Sequence, residues 1–157
     1  MKTDKDTSAV EKVGGRALVI EARFYGEIAD NMFEGARRVL EAAGMSVERV
    51  DVPGSLEIPA ALKFAALSKK YDAYVVTGCV IRGETYHFDI VCNESARGIT
   101  DVSLELNLPV GNGILTVDTI EQAIERADPE NMDKGGGAAR AAVKMLALKK
   151  KWLPFND

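Results

Sequence analysis

The sequence predicts an α/β protein, a three-layer α/β/α sandwich built on a mainly parallel sheet of four strands. Four short runs rich in β-branched residues alternate with longer segments in which apolar residues recur every three or four positions. Strands and helices that alternate in this way form βαβ units, whose right-handed crossovers make the strands parallel. The length of 157 residues fits one domain.

The four predicted strands share a short length, a high content of β-branched residues and a Gly or charged residue at one end. They are Arg16–Ala22, Ser46–Val52, Ala73–Ile81 and Val110–Val117.

Three helical patterns lie between these strands. In the first pattern, Gly44 follows the last apolar position, where a helix C-terminus favours glycine. The apolar positions of the three patterns are Ile28, Met32, Ala36, Val39, Leu40 and Ala43; then Ile58, Ala61, Leu62 and Ala65; then Phe88, Val91, Cys92, Ser95, Ile99, Val102 and Leu106.

Two further helices follow the last strand. The first opens at Thr119 with the spacing of a capping box and ends at Ala127, before Asp128-Pro129. We expect Ile120, Ala123, Ile124 and Ala127 to face the core. The final helix begins near Gly135-Gly136-Gly137, and its apolar positions are Ala138, Ala141, Ala142, Met145, Leu148 and Trp152.

The composition excludes several classes of protein. A net charge of −4 gives no general attraction for a nucleic acid backbone. No apolar run is long enough to span a membrane, and residues 1–14 have no apolar core of a secretory signal. We therefore expect a soluble cytoplasmic protein, with a flexible tail over residues 1–14 and one domain over residues 15–157.

The two cysteines do not indicate a disulfide framework or a zinc site. Cys79 and Cys92 occur without a CxxC motif or paired histidines. We interpret both as buried thiols in a reducing compartment. No metal site is predicted.

Ligands of parallel α/β sheets bind at the carboxyl ends of the strands, where the loops converge. The segments predicted at this edge are residues 23–25, residues 53–57, residues 82–87 and the region of Asn112.

His87 is the only histidine of the chain, one turn into a helix that we expect to start directly after the third strand. An ordinary imidazole exchanges protons near neutral pH and can serve as a general acid or base. The alternative is a structural or solvent-exposed histidine. Gly83-Glu84-Thr85 just before it would offer free backbone N–H groups to a phosphate.

Two other cations have two interpretations each. Lys134, followed by three glycines, predicts either a second anion site or a flexible loop. Arg126 points away from the core face of its helix, so it is either a ligand-binding or a solvated arginine.

The segment from Pro53 to Pro59 links a strand to a helix, which a helix-initiating loop explains. The functional alternative is that Glu57 accepts hydrogen bonds from substrate hydroxyls while Phe24 stacks on a flat heterocycle.

Taken together, these segments resemble the lumazine synthase family over nearly the whole chain. The matching motifs are, in order, Ala22-Arg-Phe24, Val52-Pro-Gly-Ser-Leu-Glu-Ile-Pro59, Gly78-Cys-Val-Ile-Arg-Gly-Glu-Thr-Tyr-His-Phe-Asp89, Gly113-Ile-Leu-Thr116, Glu121-Gln-Ala-Ile-Glu-Arg126 and Asp133-Lys-Gly135. Each motif is weak alone, but six at compatible spacing are specific.

The resemblance implies a flavodoxin-like fold and an enzyme of riboflavin biosynthesis. Such enzymes condense 5-amino-6-(D-ribitylamino)uracil with 3,4-dihydroxy-2-butanone 4-phosphate and release phosphate and water. The implied steps are attack of the 5-amino group on the butanone carbonyl, Schiff-base formation, loss of phosphate and closure of the second ring. No metal or redox cofactor is implied.

The resemblance also implies roles by position. His87 falls on the catalytic histidine, and Glu84 through its main chain, Thr85 and Arg126 fall on phosphate-binding positions. The pyrimidine- and ribityl-binding positions are Phe24, Ser55, Leu56, Glu57, Cys79, Val80, Ile81, Asn112 and Lys134. Tyr25, Leu56 and Asn112 depart from the residues frequent in the family, so we expect stacking to depend more on Phe24.

An assembly is implied as well. The resemblance predicts a homopentamer in which the Asn112, Arg126 and Lys134 segments complete the site of an adjacent subunit, with riboflavin synthase as a candidate partner. The resemblance is compatible with single rings, paired rings and a shell of sixty subunits.

Two other function classes are compatible with parts of the sequence. A non-catalytic flavin or lumazine carrier, or a structural shell protein, could use the same fold. Retention of His87, Arg126 and Lys134 favours the enzyme, because a carrier needs no proton-transfer group. A flavodoxin-like electron carrier or nucleotide-binding domain is disfavoured, because residues 21–26 lack a hydroxyl-rich phosphate loop and a GxGxxG motif.

Overall fold

The computed structural model describes residues 5–153 and contains a four-stranded parallel sheet. The strands are β1 (Arg16–Ala22), β2 (Ser46–Val52), β3 (Ala73–Ile81) and β4 (Val110–Val117). All four have the predicted bounds. Their order is β2-β1-β3-β4, which is the flavodoxin-like order of a doubly wound sheet. The predicted fold class is confirmed.

Five α-helices and one 3-10 turn complete the described chain. They are α1 (Gly26–Ala42), the 3-10 turn (Ser55–Glu57), α2 (Ile58–Leu67), α3 (His87–Leu106), α4 (Ile120–Ala127) and α5 (Lys134–Trp152). None of these helices within residues 5–153 combines the length and apolarity that a bilayer crossing requires.

The helices cover both faces of the sheet and so produce the three layers. Successive strand residues point to opposite faces. In β1, Val19 therefore packs with α1 and α5, whereas Ile20 packs with α2 and α3. A third apolar cluster joins α1 and α4 to the end of β4, where Leu115 and Val117 are buried. This sandwich holds the carboxyl ends of the strands in fixed positions.

Two helix ends match their sequence signals. Gly44 follows the C-cap of α1 with a φ of 79°, the left-handed conformation that glycine adopts without strain. At the start of α4, the Thr119 side chain accepts a hydrogen bond from the Gln122 N–H, and the Gln122 side chain accepts one from the Thr119 N–H. The predicted capping box is confirmed.

The predicted core faces of α4 and α5 are partly wrong. Ala123 and Ala127 are buried, but Ile120 and Ile124 are 37% and 53% exposed. In α5 the buried face includes Val143 and Leu146, whereas Met145 and Trp152 are exposed. The α5 segment has apolar residues on several sides, so its spacing alone does not say which side meets the sheet.

The three glycines after Lys134 form the first turn of α5, so the flexible-loop alternative is wrong. A Cβ on Gly135 would lie 2.1 Å from the backbone oxygen of Met32 in α1. Gly135 therefore permits close packing of α5 against α1. Asp133 caps the helix, and its side chain accepts a hydrogen bond from the Gly136 N–H at 3.1 Å. This carboxylate occupies the place where the anion was expected.

The N-terminal segment has no helix or strand over residues 5–14, but it lies along α1 and α5. Val10 and Val13 pack against the core beneath these helices. Lys5 donates a hydrogen bond to the Pro129 carbonyl at 2.6 Å, and Arg140 donates one to the Ser8 carbonyl at 2.7 Å. These contacts were not expected of a loose tail, and the flexibility of the segment stays a prediction. Residues 1–4 of the predicted tail lie outside the described residues.

Candidate active site

A cleft of about 270 Å³ lies at the carboxyl edge of the sheet, between the ends of β1 and β3, the 3-10 turn and the start of α3. The predicted site residues that line it are Phe24, Ser55, Leu56, Glu57, Cys79, Val80, Ile81 and His87. The structure thus brings together eight residues that are up to 63 positions apart in the sequence, from Phe24 to His87. Its other lining residues are Ala22, Tyr25, Gly54 and Val91.

The floor of the cleft is the end of β3. Cys79, Val80 and Ile81 are its last three residues and are half-buried, in contrast to the buried residues before them. Gly78 permits a close approach here, because a Cβ at this position would lie 2.8 Å from the Ser55 hydroxyl oxygen. Ser55 is buried in this contact. The end of β3 and the 3-10 turn are therefore packed tightly together.

One wall of the cleft is aromatic. Phe24 follows β1 by two residues, and its side chain is 77% exposed. Its ring contacts Tyr25 edge-on, with 4.9 Å between the centroids. Flat heterocycles stack on rings of this kind, since aromatic systems interact favourably at such distances.

The 3-10 turn adds a carboxylate to the cleft lining. Glu57 is exposed, closes the 3-10 turn and is the N-cap residue of α2, with Pro59 in the first helical turn. The predicted position near a helix start is confirmed. The 3-10 turn thus brings three lining residues to the cleft, of which Ser55 and Glu57 carry oxygen acceptors and Leu56 is apolar.

His87 is the first residue of α3, so the prediction that it lies one turn into the helix is wrong. The chain does not enter the helix directly after β3, because the Arg82 N–H donates to the Val117 carbonyl at 2.9 Å and continues the pairing with β4. Residues 83–85 therefore form an exposed turn before the helix. Within it, the Thr85 hydroxyl oxygen accepts a hydrogen bond from the His87 N–H at 3.4 Å.

This arrangement leaves an anion-accessible turn beside the imidazole. Glu84, Thr85 and His87 are all exposed in the single chain. Glu84 and Thr85 do not line the cleft, although they adjoin it through His87. Helix N-termini leave backbone N–H groups without helical partners, but here the His87 N–H donates to Thr85 and the Asp89 N–H donates to the Tyr86 carbonyl at 3.0 Å.

Arg82 belongs to the segment after β3, but no motif in the sequence assigns it a role. Its guanidinium lies over the Phe88 ring, 4.4 Å from the centroid, and its Nε donates to Asp118 at 2.8 Å. Arg82 thus connects the first turn of α3 to the loop before α4. Its position directly after a strand was the one signal available.

The two thiols are free and half-buried, somewhat less than predicted. Burial raises the pKa of Cys79 to about 11. Burial, followed by the charge of Asp89, also raises the pKa of Cys92. Neither thiol is activated as a nucleophile, because the reactive form is the thiolate.

Three predicted residues lie away from the cleft. Asn112 is within β4, opposite Val76, rather than after a strand, and it lines a separate cavity of about 440 Å³ between β4 and α3. Arg126 donates a hydrogen bond to the Gln122 carbonyl at 3.1 Å on α4. Lys134 is the first residue of α5. A single chain therefore gathers only part of the predicted site.

Another groove, of about 410 Å³, lies at the opposite edge of the sheet and is larger than the cleft. It is lined by apolar and basic side chains, including Leu67, Tyr71 and Lys149. None of the predicted site residues lines it. We assign the site to the smaller cleft because of its chemistry.

Comparison with known proteins gives one family. A family model described as 6,7-dimethyl-8-ribityllumazine synthase matches residues 14–150. A protein of that name from Sphingopyxis alaskensis is 56% identical over 135 residues, which cover 86% of this chain and 95% of the relative. The one from Rhodopseudomonas palustris is 51% identical over 150 residues, with 92% of each chain covered. The one from Zymomonas mobilis is 53% identical over 134 residues, with 85% of this chain and 96% of the relative covered.

These matches extend over the cleft, the turn before α3, α4 and most of α5. They agree with the resemblance in the motifs and with the flavodoxin-like sheet. The chain belongs to the 6,7-dimethyl-8-ribityllumazine synthase family and is an enzyme of riboflavin biosynthesis, which condenses 5-amino-6-(D-ribitylamino)uracil with 3,4-dihydroxy-2-butanone 4-phosphate.

Proposed function

We propose that the cleft between Phe24 and His87 binds the pyrimidine substrate and that the condensation takes place there. The observation that carries this proposal is the convergence of an exposed aromatic ring, a carboxylate and the only imidazole of the chain at one edge of the sheet. Phe24 stacks on the pyrimidine, and the main chain of Cys79, Val80 and Ile81 pairs with its polar edge. Ser55, Leu56 and Glu57 contact the ribityl chain.

The butanone phosphate binds on the other side of His87. Thr85 and the Glu84 main chain hold its phosphate, which the exposure of this turn allows. Arg126 of an adjacent subunit supplies the cation, while its Asn112 and Lys134 contact the pyrimidine substrate. In support, the cleft of the single chain is slightly smaller than the roughly 300–1,000 Å³ that ligand sites usually have, and no Lys or Arg of residues 5–153 lines it.

A shared site requires an assembly, and we propose a homopentamer. Ile120 and Ile124 lie on α4, the helix of Arg126, and expose apolar surface that a neighbouring subunit would cover. Head-to-tail contacts of this kind close into rings. A cytoplasmic location and an association with riboflavin synthase belong to the same proposal, and both rest on the enzyme family alone.

Positioning of the two substrates contributes most of the rate, and His87 assists. Holding two reactants in register supplies up to roughly 7–11 kcal/mol, whereas a positioned acid or base contributes ~10²–10⁴-fold. His87 moves protons during Schiff-base formation and ring closure. Arg126 and Thr85 stabilise the departing phosphate.

The first experiment is a direct assay of the purified protein with both substrates. We expect the lumazine product, followed by its absorbance and fluorescence, together with inorganic phosphate in equal amount. His87→Ala retains measurable activity, whereas Arg126→Ala mainly raises the KM for the butanone phosphate. A wild-type protein that forms no product rejects the proposed site.

The second experiment tests the shared site by mixing subunits. His87→Ala and Arg126→Ala chains are co-expressed and purified as mixed oligomers. If one subunit supplies His87 and its neighbour Arg126, about a quarter of the interfaces in an equal random mixture contain both native residues. We expect activity above that of either variant alone. If both residues served the same site from one chain, mixing would restore nothing.

A further inference from the structure

Beneath the Phe24 wall of the cleft, four charged side chains form a closed ring of ion pairs. Arg49 on β2 donates two hydrogen bonds to Glu21, with Nε to Oε2 at 2.8 Å and Nη2 to Oε1 at 2.7 Å. Asp30 on α1 bridges the two arginines, at 3.2 Å from Arg49 and 2.8 Å from Arg23. Arg23 closes the ring with Glu21 at 3.4 Å. We call these residues the Glu21 ring.

The anchor of the ring is a buried carboxylate. Glu21 is 1% exposed, between β2 and β3 at the end of β1. A charge removed from water in this way is retained only if it is paired and hydrogen-bonded. Arg49 meets that need with a two-pronged contact, and its guanidinium also lies 3.9 Å from the centroid of the Phe33 ring. The Glu21–Arg49 pair therefore forms a fixed point in the fold.

The other half of the ring belongs to the loop that carries Phe24. Arg23 is the residue directly before Phe24, and its side chain is 31% exposed. Its hydrogen bond to Asp30 lowers the pKa of that carboxyl, so Asp30 is ionised at neutral pH. The loop is thus tied both to the buried anchor at β1 and to the first turns of α1.

The side chain of Phe24 makes few contacts with the rest of the described chain. Its side chain is 77% exposed, and within residues 5–153 its one aromatic contact is with Tyr25, the next residue in the chain. A ring that stacks on a ligand must be presented before binding, since ordering it during binding costs affinity. The orientation of Phe24 therefore depends on the backbone before and after it. On the N-terminal side, the Glu21 ring holds this backbone through the side chain of Arg23.

We propose that Arg23 is a positioning residue, which presents Phe24 to the pyrimidine through the Glu21 ring without contacting the substrate. This inference rests on the proposed stacking role of Phe24. If Arg23 acts in this way, the Glu21 ring affects the affinity for the pyrimidine substrate and not that for the butanone phosphate, which binds on the other side of His87.

The test is a double-mutant cycle between Arg23 and Phe24. Arg23→Gln leaves the Glu21–Arg49 anchor intact and removes the tie to the loop. We expect a rise of about three- to tenfold in the KM for the pyrimidine, in the range of one aromatic contact, with kcat and the KM for the butanone phosphate within about twofold of wild type. Phe24→Ala raises the same KM, and the double variant is no worse than Phe24→Ala, since coupled residues are not additive. Arg23→Lys restores part of the affinity.

Two controls exclude a general effect on stability. Arg37→Gln removes a comparable arginine of α1, which contacts Glu34 and Glu41 on the exposed side of the helix, and should leave both KM values unchanged. Thermal unfolding checks that each variant is folded. If Arg23→Gln is unstable, Asp30→Asn opens the ring at its most exposed member and replaces it in the cycle.

The outcomes separate the two proposals. Multiplicative effects in the double variant, or an equal rise in both KM values, overturn the positioning role of Arg23. A defective Phe24→Ala beside a normal Arg23→Gln also overturns it and leaves the proposed site intact. A Phe24→Ala variant with an unchanged KM for the pyrimidine overturns the stacking site and this inference with it.

Discussion

Arg82 and Phe88 form a stacked pair at the start of α3, with the guanidinium carbon 4.4 Å from the ring centroid. Phe88 is 8% exposed and directly follows His87. The same arginine pairs with Asp118, in the loop before α4. The backbone position of His87 therefore depends on the contacts of Arg82, which connect the start of α3 to the loop between β4 and α4.

This pair predicts a moderate loss of activity in Arg82→Met. An exposed cation–π contact and an exposed ion pair are each weak, so we expect their combined loss to lower kcat/KM about three- to tenfold. Arg82→Lys keeps the positive charge, so its kcat/KM should lie between those of the wild type and Arg82→Met. The control is Arg97→Met on α3, which removes exposed ion pairs with Glu94 and Asp101. Steady-state kinetics with full wild-type activity for Arg82→Met would contradict the role.

Close packing of α5 on α1 gives a prediction with a matched pair of glycines. Ala at Gly135 brings Cβ within 2.1 Å of the Met32 backbone oxygen, so the helices must separate. Overpacking of this kind costs ~1–3 kcal/mol or more. At Gly137, in the same helical turn, an added Cβ would have no atom of residues 5–153 within 4 Å, apart from its chain neighbours and the nearby backbone of α5 itself. Gly137→Ala should therefore stabilise by up to ~1 kcal/mol through helix propensity.

Urea unfolding of the two variants measures this difference directly. We expect the midpoint of Gly135→Ala to fall and that of Gly137→Ala to stay or rise. Equal midpoints for the two alanine variants would show that the α1–α5 contact is looser than the structure indicates.

The strands were predictable because the bounds of each β-branched run coincide with the bounds of a strand. The sequence also predicted the capping box of α4 and the glycine that follows α1, Gly44, because both signals involve residues that are close together in the sequence. Eight of the predicted site residues meet in one cleft because they lie at carboxyl ends of adjacent parallel strands or just beyond them. Local signals and one rule of sheet geometry were enough for this part.

The remainder depends on tertiary contacts that the spacing does not encode. The start of α3 is delayed because the Arg82 N–H pairs with Val117, far along the chain. Glu21 lies within a strand that otherwise reads as apolar, and its partner Arg49 is 28 residues away. Ile120 and Ile124 fit a helix period, yet no element of the described chain covers them fully. Such features require the packed structure.

Cys79 gives a prediction about thiol chemistry in the cleft. Burial raises its pKa to about 11, so the thiol stays neutral at pH 8 and becomes reactive only as the pH approaches that value. An ordinary cysteine has a pKa of about 8.5, so alkylation by iodoacetamide at pH 8 should be more than about tenfold slower than for a small free thiol. A Cys92→Ser background isolates the rate of Cys79.

The same labelling reports on the cleft. Because Cys79 lines it, bound lumazine product should slow the reaction further at high pH. Cys79→Ser should keep most of the activity, since the proposed contact is through the main chain. Rapid stoichiometric labelling at pH 8 would contradict the buried, protonated thiol.

The N-cap of α5 predicts a pH-dependent difference in stability. Burial raises the pKa of Asp133 above its usual value, so the folded state holds this proton more tightly than the unfolded chain. The carboxylate therefore costs stability at neutral pH, and the cost disappears as the pH falls below the ordinary value of ~3.9. Asn supplies an oxygen acceptor for the Gly136 N–H, tolerates the left-handed φ of 48°, and carries no charge.

We therefore expect Asp133→Asn to have a Tm at pH 7 equal to or above that of the wild type, with the difference shrinking towards pH 3. Asp133→Ala is the control, because it removes the cap and should lose ~1 kcal/mol over the whole range. Thermal unfolding of the three proteins between pH 3 and pH 7 separates the two effects. A Tm for Asp133→Asn that falls below the wild type at pH 7 and meets it only at low pH would mean that the attraction of Asp133 to Lys5, Arg38 and Arg140 outweighs its burial.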